Sequence, residues 1–285
     1  MRNIKSRVMR ILPDKAQLQL MYFKHFKRFI HFRNPKTFNE KIQWLKLNDR
    51  NPEYTKLVDK YEVKQYIADT IGSEYVIPTL GVWERVEDIN FDSLPDQFVL
   101  KCTHDSGSIA ICKDKATFDK KAAIKLLNNG LKRNGCWFGC EWPYKNVKPR
   151  IIAETYMEDP DTAELRDYKF FCFNGEAKLL FIATDRQAVG TETKFDFFDM
   201  DFNHLDIKNG HPNADILPQK PMQFDKMVEL AEKLSIGFPH LRVDFYEVNG
   251  KIYFGELTFS HWSGFVPFEP PEWDETLGSW IQLPE

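Results

Sequence analysis

Residues 241 to 258 read Leu-Arg-Val-Asp-Phe-Tyr-Glu-Val-Asn-Gly-Lys-Ile-Tyr-Phe-Gly-Glu-Leu-Thr. Two β-rich runs flank an Asn-Gly pair, the strongest short-range signal for a hairpin. Residues two apart on a strand share a face, so Arg242 projects with Asp244, and Glu256 with Thr258. How the two strands register decides the chemistry. A strict two-residue turn at Asn249-Gly250 sends the carboxylates of Asp244 and Glu256 to opposite faces. A three-residue loop with Gly250 in the left-handed region puts all four side chains on one face. Facing carboxylates repel unless a cation lies between them, and an all-oxygen set suits Mg²⁺ bridging substrate phosphates. The plain alternative is a solvated hairpin face.

Charge is unevenly placed. Residues 1–50 hold 13 Lys/Arg against Asp14, Glu40 and Asp49, which leaves 26 basic and 39 acidic residues for the rest. Met21-Tyr-Phe-Lys-His-Phe-Lys-Arg-Phe-Ile-His-Phe interleaves aromatics with bases, with Phe23, Phe26, Phe29 and Ile30 at helical spacing. Residues 1–33 are therefore expected either to meet an anionic membrane surface or to dock as a basic helix on the acidic body. No apolar run reaches the ~20 residues of a membrane span, and the N-terminus has no signal-peptide stretch. The five cysteines are odd in number. Cys102, Cys112 and Cys172 read as small buried thiols, and Cys136-x₃-Cys140 lacks the second ligand pair of a zinc site. A cytoplasmic protein, peripheral at most to the inner face of the membrane, is expected.

Along the chain, residues 16–31 read as a helix, and Thr37-Phe-Asn-Glu40 is a capping box opening a second helix to about Leu47. A third helix is expected over 53–71, closed by Gly72. Strands are expected at 75–83, 97–103, 109–112 and 150–156, a helix at 117–131, and a hairpin over 168–183 turning at Asn174-Gly175. A helix over 223–236 precedes the 241–258 hairpin, and a Pro- and Trp-rich tail follows it. Residues 132–149, rich in Trp, Tyr and bases, form an aperiodic loop of the kind that serves as lid or substrate platform. The chain is α+β with antiparallel hairpins.

Lys101 ends a strand before Ser106-Gly107-Ser108, a small-residue loop whose N–H groups can cradle phosphate oxygens. Glu154 closes a buried strand and needs a partner. Asp167 and Lys169 share a strand face. Walker and Rossmann glycine patterns are absent. Asp199-Met200-Asp201 fits the D-x-D of metal-dependent glycosyltransferases and stands as the competing signal.

The ordered set of Thr37-Phe-Asn-Glu-Lys-Ile-Gln-Trp-Leu, Val58-Asp-Lys-Tyr, Phe98-Val-Leu-Lys, Glu141-Trp-Pro-Tyr-Lys, Asp167-Tyr-Lys-Phe-Phe-Cys-Phe-Asn-Gly and Arg242-Val-Asp…Gly255-Glu-Leu-Thr-Phe resembles the TupA-like ATP-grasp proteins over about residues 36–268. That resemblance implies the ATP-grasp fold, two α+β lobes gripping ATP, behind a basic helical N-terminal extension. It implies a division into the extension (1–55), a preceding α/β segment (56–98), an N-lobe with phosphate loop and aromatic lid (99–165) and a C-lobe with the metal site (166–285). Lys60, Lys101, His104, Ser106, Gly107, Ser108 and Lys169 would meet the ATP phosphates. Glu154 and Met157 would face adenine, and Asp167 the ribose. Asp244 and Glu256 would hold Mg²⁺, with Thr258 where the superfamily usually has Asn. Arg242, Lys101 and Lys169 would be catalytic. The implied reaction is ADP-forming amide ligation through an acyl phosphate. It would join an amino acid or amine to a uronic-acid carboxylate of a capsule-type polysaccharide or its lipid-linked precursor, with Trp137, Trp142 and Tyr144 stacking on sugar. No nucleic-acid partner is expected.

Overall fold

A computed structural model describes residues 12–133, 139–159, 165–185 and 191–284. In chain order its elements are α1 (Asp14–Phe26), α2 (Phe38–Asn48), α3 (Tyr54–Val58), α4 (Val63–Thr70), β1 (Thr79–Trp83), β2 (Phe98–Cys102), β3 (Ile109–Cys112), α5 (Lys120–Leu131), β4 (Ile151–Thr155), β5 (Asp167–Phe173), β6 (Glu176–Thr184), β7 (Lys194–Phe198), β8 (His204–Leu205), α6 (Phe224–Ser235), β9 (Leu241–Val248), β10 (Lys251–Thr258) and α7 (Glu272–Trp280). They form two compact units. One comprises residues 1–51, 137–141 and 159–285, the other 52–136 and 142–158. The basic N-terminal segment thus folds with the C-terminal half, and the segments expected at 56–98 and 99–165 fall largely in one unit.

In the larger unit six antiparallel strands run in the order β10-β9-β5-β6-β7-β8. β5 is buried along its whole length because both faces of the sheet are covered. Phe170 and Phe245 meet on one side, where Phe170 also packs on Phe224 of α6. On the other, Phe171, Phe181 and Phe197 form a core with Phe38 and Ile42 of α2 and Leu277 of α7. The smaller unit is a four-stranded sheet, β1-β4-β2-β3. Its Phe98, Leu100, Ala110 and Ala153 share a core with Ala123 and Leu127 of α5.

Local chemistry explains the boundaries. The Thr37 side chain accepts from Glu40 N, as the capping box requires, while the Glu40 carboxylate accepts from Lys36 N at 3.0 Å. Both Asn-Gly turns place two successive residues at positive φ: Asn174 at 51° and Gly175 at 88°, Asn249 at 52° and Gly250 at 71°. The first helix ends earlier than its periodicity predicts. Lys27 is left-handed at φ 57°, and the Gln19 amide accepts from Ile30 N and donates to Ile30 O, both at 2.9 Å. Phe29 and Ile30 therefore belong to a returning loop. The single helix expected over 53–71 is two, because Asp59 is extended and its Oδ1 accepts from Tyr61 N at 2.8 Å, starting α4 afresh. The Pro- and Trp-rich tail contains α7, which aperiodic composition concealed.

Cys102, Cys112, Cys140 and Cys172 are buried and form no disulfide with one another. Cys136 and Trp137 lie outside the described residues. Among the described residues no helix is long and apolar enough to cross a membrane.

Candidate active site

The β9–β10 hairpin settles the register question by a route that neither turn geometry offered. Its loop is the strict two-residue turn, with Val248 opposite Lys251, and that register holds through Phe254 opposite Phe245. The pairing then slips at Gly255, so that Glu256 lies opposite Asp244 and Thr258 opposite Arg242. The three-residue loop, one of the two turns the sequence leaves open, is absent. A bulge five residues further along performs the same inversion. Glycine suits that place because a Cβ there would lie 3.1 Å from the Asp244 carbonyl oxygen and 3.2 Å from the Tyr246 ring.

The result is a buried charge cluster on the face shared with Phe171 and Phe181. Arg242 Nε donates to Asp244 Oδ1 and Nη2 to Asp244 Oδ2, both at 2.7 Å. Nη2 also reaches Glu256 Oε1 at 2.8 Å. Lys169, opposite Asp244 on β5, donates to Asp244 Oδ2 and lies 3.5 Å from Asp167 Oδ1. Thr258 Oγ1 donates to Glu256 Oε1 at 3.3 Å. Asp244 is 0% exposed and the Glu256 side chain 42%, so the cluster opens at its glutamate end. Burial lowers the Lys169 pKa against the pull of Asp244. Two carboxylates and a hydroxyl, already held around a positive charge, are a donor set that fits a hard divalent cation. Among the described residues no three or more His, Cys, Asp or Glu side chains are grouped so as to hold a metal ion by themselves.

Three residues behind this cluster escaped the sequence reading. Arg242 Nη1 donates to His261 Nδ1 at 2.8 Å. An arginine has no lone pair to offer, so Nδ1 is the acceptor and the proton sits on Nε2, which donates to Asn209 Oδ1 at 2.8 Å. Asn209 Nδ2 in turn donates to Pro267 O at 3.0 Å. Burial, reinforced by Arg242, holds the His261 pKa well below its ordinary value, so the ring stays neutral and Arg242 keeps its acceptor. The signal for this was a histidine three residues beyond Thr258, which has no spacing rule to flag it.

Nearby, Lys46 of α2 is almost fully buried. It donates to Ser263 O at 2.6 Å, Gly139 O at 2.8 Å, Ser263 Oγ at 2.9 Å and Gln43 Oε1 at 3.1 Å. Burial pushes its pKa down to about 8. Burial likewise raises the Glu141 carboxyl, against the opposing influence of Lys46, Ser263 and Arg242.

The smaller unit carries a second cluster. Glu154, one residue before the end of β4, is clamped by Lys101 at 2.5 Å and by Lys64 of α4 at 2.6 Å. Burial alone would raise its pKa, but the two lysines outweigh that and hold it below the usual carboxylate range. The loop after Lys101 is closed by Cys102 N donating to Ser108 O at 3.1 Å. Inside it, Ser108 Oγ donates to Asp105 Oδ2 at 2.5 Å, and Lys60 Nζ reaches Asp105 O at 2.7 Å. The break between α3 and α4 is what delivers Lys60 here, since its N–H bonds Thr103 O at 3.1 Å. Ser106 and Gly107 are exposed, with Gly107 at φ 93° and open space where a Cβ would stand. His104 is buried, its Nε2 3.2 Å from Gly130 O and its Nδ1 without a hydrogen-bond partner. Met157 follows β4 and is half-buried. Trp142 and Tyr144 lie in a 3₁₀ turn at Trp142–Asn146, where Trp142 meets the Tyr54 ring at 6.1 Å.

The D-x-D segment is otherwise engaged. Asp199 Oδ1 accepts from Asp201 N at 3.0 Å and Asn203 N at 2.8 Å, and its Oδ2 accepts from Asn203 Nδ2 at 2.9 Å. Both oxygens serve the β7–β8 turn.

The family model described as TupA-like ATPgrasp matches residues 40–282. No curated protein sequence matches the chain. Among solved structures, D-alanine–D-alanine ligase from Bacillus anthracis is similar at 17% identity over 71% of this chain and 55% of that one, with a TM-score of 0.40. The enzyme of the same name from Helicobacter pylori is similar at 13% identity over 86% and 69%, TM-score 0.45. The L-amino acid ligase from Bacillus licheniformis is similar at 11% identity over 89% and 57%, TM-score 0.49. The chain thus spans little more than half the length of the first of these.

Proposed function

The chain belongs to the TupA-like ATP-grasp family, and from that premise we propose that it is an ATP- and Mg²⁺-dependent, ADP-forming carboxylate–amine ligase. The observation that carries this reading is the bulge at Gly255, which brings Asp244 and Glu256 face to face beside Arg242 and Lys169. An ordinary solvated hairpin has no use for such a cluster.

In this reading Asp244, Glu256 and Thr258 hold Mg²⁺, which when bound would neutralise charge on the ATP phosphates. Lys60, Lys101 and the loop 104–108 bind phosphate oxygens, with Lys101 held ready by Glu154. Glu154 and Met157 serve the adenine side, and Asp167 the ribose. A substrate carboxylate oxygen attacks the γ-phosphorus, the bond to the ADP oxygen breaks, and an acyl phosphate and ADP result. The amine nitrogen then attacks the acyl carbon and gives up a proton, and the C–O bond to phosphate breaks. Both steps build negative charge on oxygen, which Arg242 and Lys169 spread from fixed positions. His261 and Asn209 keep Arg242 aimed.

The acceptor is read as a uronic-acid carboxylate on a surface polysaccharide or its lipid-linked precursor, and the nucleophile as an amino acid or amine. The aromatic segment with Trp137, Trp142 and Tyr144 has the composition of a sugar platform. The glycosyltransferase alternative loses support because Asp199 is spent on a turn.

Screening ADP release against uronic-acid glycans paired with amino acids tests the reading. ADP and phosphate should appear in step with amide, and Lys101→Ala or Arg242→Ala should lower kcat by about 10²–10³, with Asp199→Ala mild. AMP and pyrophosphate as products, or sugar transfer without ATP consumption, would refute it.

A further inference from the structure

α1 and the loop that follows it have two sides. Leu18, Tyr22 and Ile30 are buried with Phe265, so the segment is part of the fold. The opposite side carries Leu20, Phe23 and Phe29, which are 49%, 44% and 57% exposed. Phe23 and Phe29 come from different elements, yet their rings stack at 4.9 Å. The clamp between Gln19 and the Ile30 backbone sets this, because it brings the returning loop against the helix. A large apolar pair held in solvent by dedicated hydrogen bonds is not a packing remainder.

The charge around the pair has one sign. No acidic residue occurs between Asp14 and Glu40, while Lys15, Lys24, Lys27, Arg28, Arg33 and Lys36 do. Lys24, Lys27 and Arg33 are exposed, whereas Arg28 is committed to Glu40 at 2.7 Å. Rigid exposed aromatics ringed by lysine and arginine are the chemistry of an interfacial anchor, whose rings enter the headgroup boundary while the bases meet lipid phosphates.

We propose that the face of Leu20, Phe23 and Phe29 docks this protein onto an anionic lipid bilayer, independently of the reaction it catalyses. The patch is small, so the protein is peripheral, bound reversibly and released by salt.

Sedimentation of the full chain with phosphatidylglycerol-containing vesicles, against pure phosphatidylcholine vesicles, tests this. Binding is expected to the first only and to fall with ionic strength. Phe23→Ser with Phe29→Ser should cost at least about tenfold in partition, from the apolar area no longer buried. Lys24→Glu with Lys27→Glu should cost more, on the order of a hundredfold or beyond, at roughly fivefold for each of the units of charge changed. These sites are largely exposed, so the melting temperature should fall by no more than a few degrees. Phe23→Trp should show a blue shift of emission on vesicle addition, over and above any change in the parent. Absence of binding to anionic vesicles, equal binding to neutral ones, or a bound Phe23→Trp variant whose emission shifts no more than the parent's would overturn the proposal. So would Phe variants that bind like the parent, or aromatic-independent binding to an oligonucleotide as tight as that to vesicles.

Discussion

Replacing Asp244 with Asn changes one heavy atom, yet it should be among the most damaging substitutions available. The side chain is 0% exposed and accepts two hydrogen bonds of 2.7 Å from Arg242 and a third from Lys169. Asn keeps one acceptor oxygen, loses the negative charge that both cations face, and in its better orientation still turns an amino group toward Arg242 Nε. Breaking a buried ion pair from one side costs about 3–5 kcal/mol. Removing the second cation as well, with Lys169→Met, should recover part of that, because Arg242 still has Glu256 at 2.8 Å. The double variant should therefore fall short of additivity by about 2–3 kcal/mol, the upper part of the range for contacting residues. Urea unfolding followed by circular dichroism reads this out. With a slope of about 3 kcal/mol/M, the Asp244→Asn midpoint should drop by about 1–1.7 M at unchanged slope. A loss below about 1 kcal/mol, or additivity within about 0.5 kcal/mol, would refute the reading of this cluster as one coupled unit.

Other expectations follow from the same structure. Between pH 8 and 10.5 the unfolded chain keeps a proton that folded Lys46 has released, so stability should rise with pH relative to Lys46→Met by up to about 1.4 kcal/mol per unit; urea midpoints at pH 7.5 and 9.5 should show it. His240 is the opposite end of the scale, its pKa pushed down to about 3 by burial among Phe38, Phe171 and Phe173. Its contribution is intact above pH 6.5 and is lost as pH falls toward 3, so the parent should lose about 2–3 kcal/mol more than His240→Phe between pH 6.5 and 4.5. Gly255→Val meets a backbone oxygen that cannot step aside and should cost about 1–3 kcal/mol; an unchanged melting temperature would show the bulge to be slack. His261→Phe removes the acceptor of Arg242 Nη1 and should lower kcat far more than nucleotide affinity, and equal losses in both would assign it to packing alone.

Much of this protein is written in local chemistry. The Asn-Gly turns, the Thr37 cap and most strands are determined by short-range sterics and hydrogen bonding, which a sequence carries in full. The family likewise follows from motifs in order. The decisive features do not. Which face Glu256 occupies rests on one slipped pair at Gly255, a cross-strand event that a lone glycine inside a strand permits but does not fix. Lys60 reaches its loop because Asp59 breaks a helix whose apolar period runs on unbroken. Asp199 and Asp201 have the spacing of a D-x-D pair, and only the fold shows both Asp199 oxygens accepting hydrogen bonds within the β7–β8 turn. His261 and Asn209 meet across 52 positions. Composition and periodicity report what each segment prefers by itself, whereas these side chains took their roles from partners that only the folded chain brings within hydrogen-bond reach.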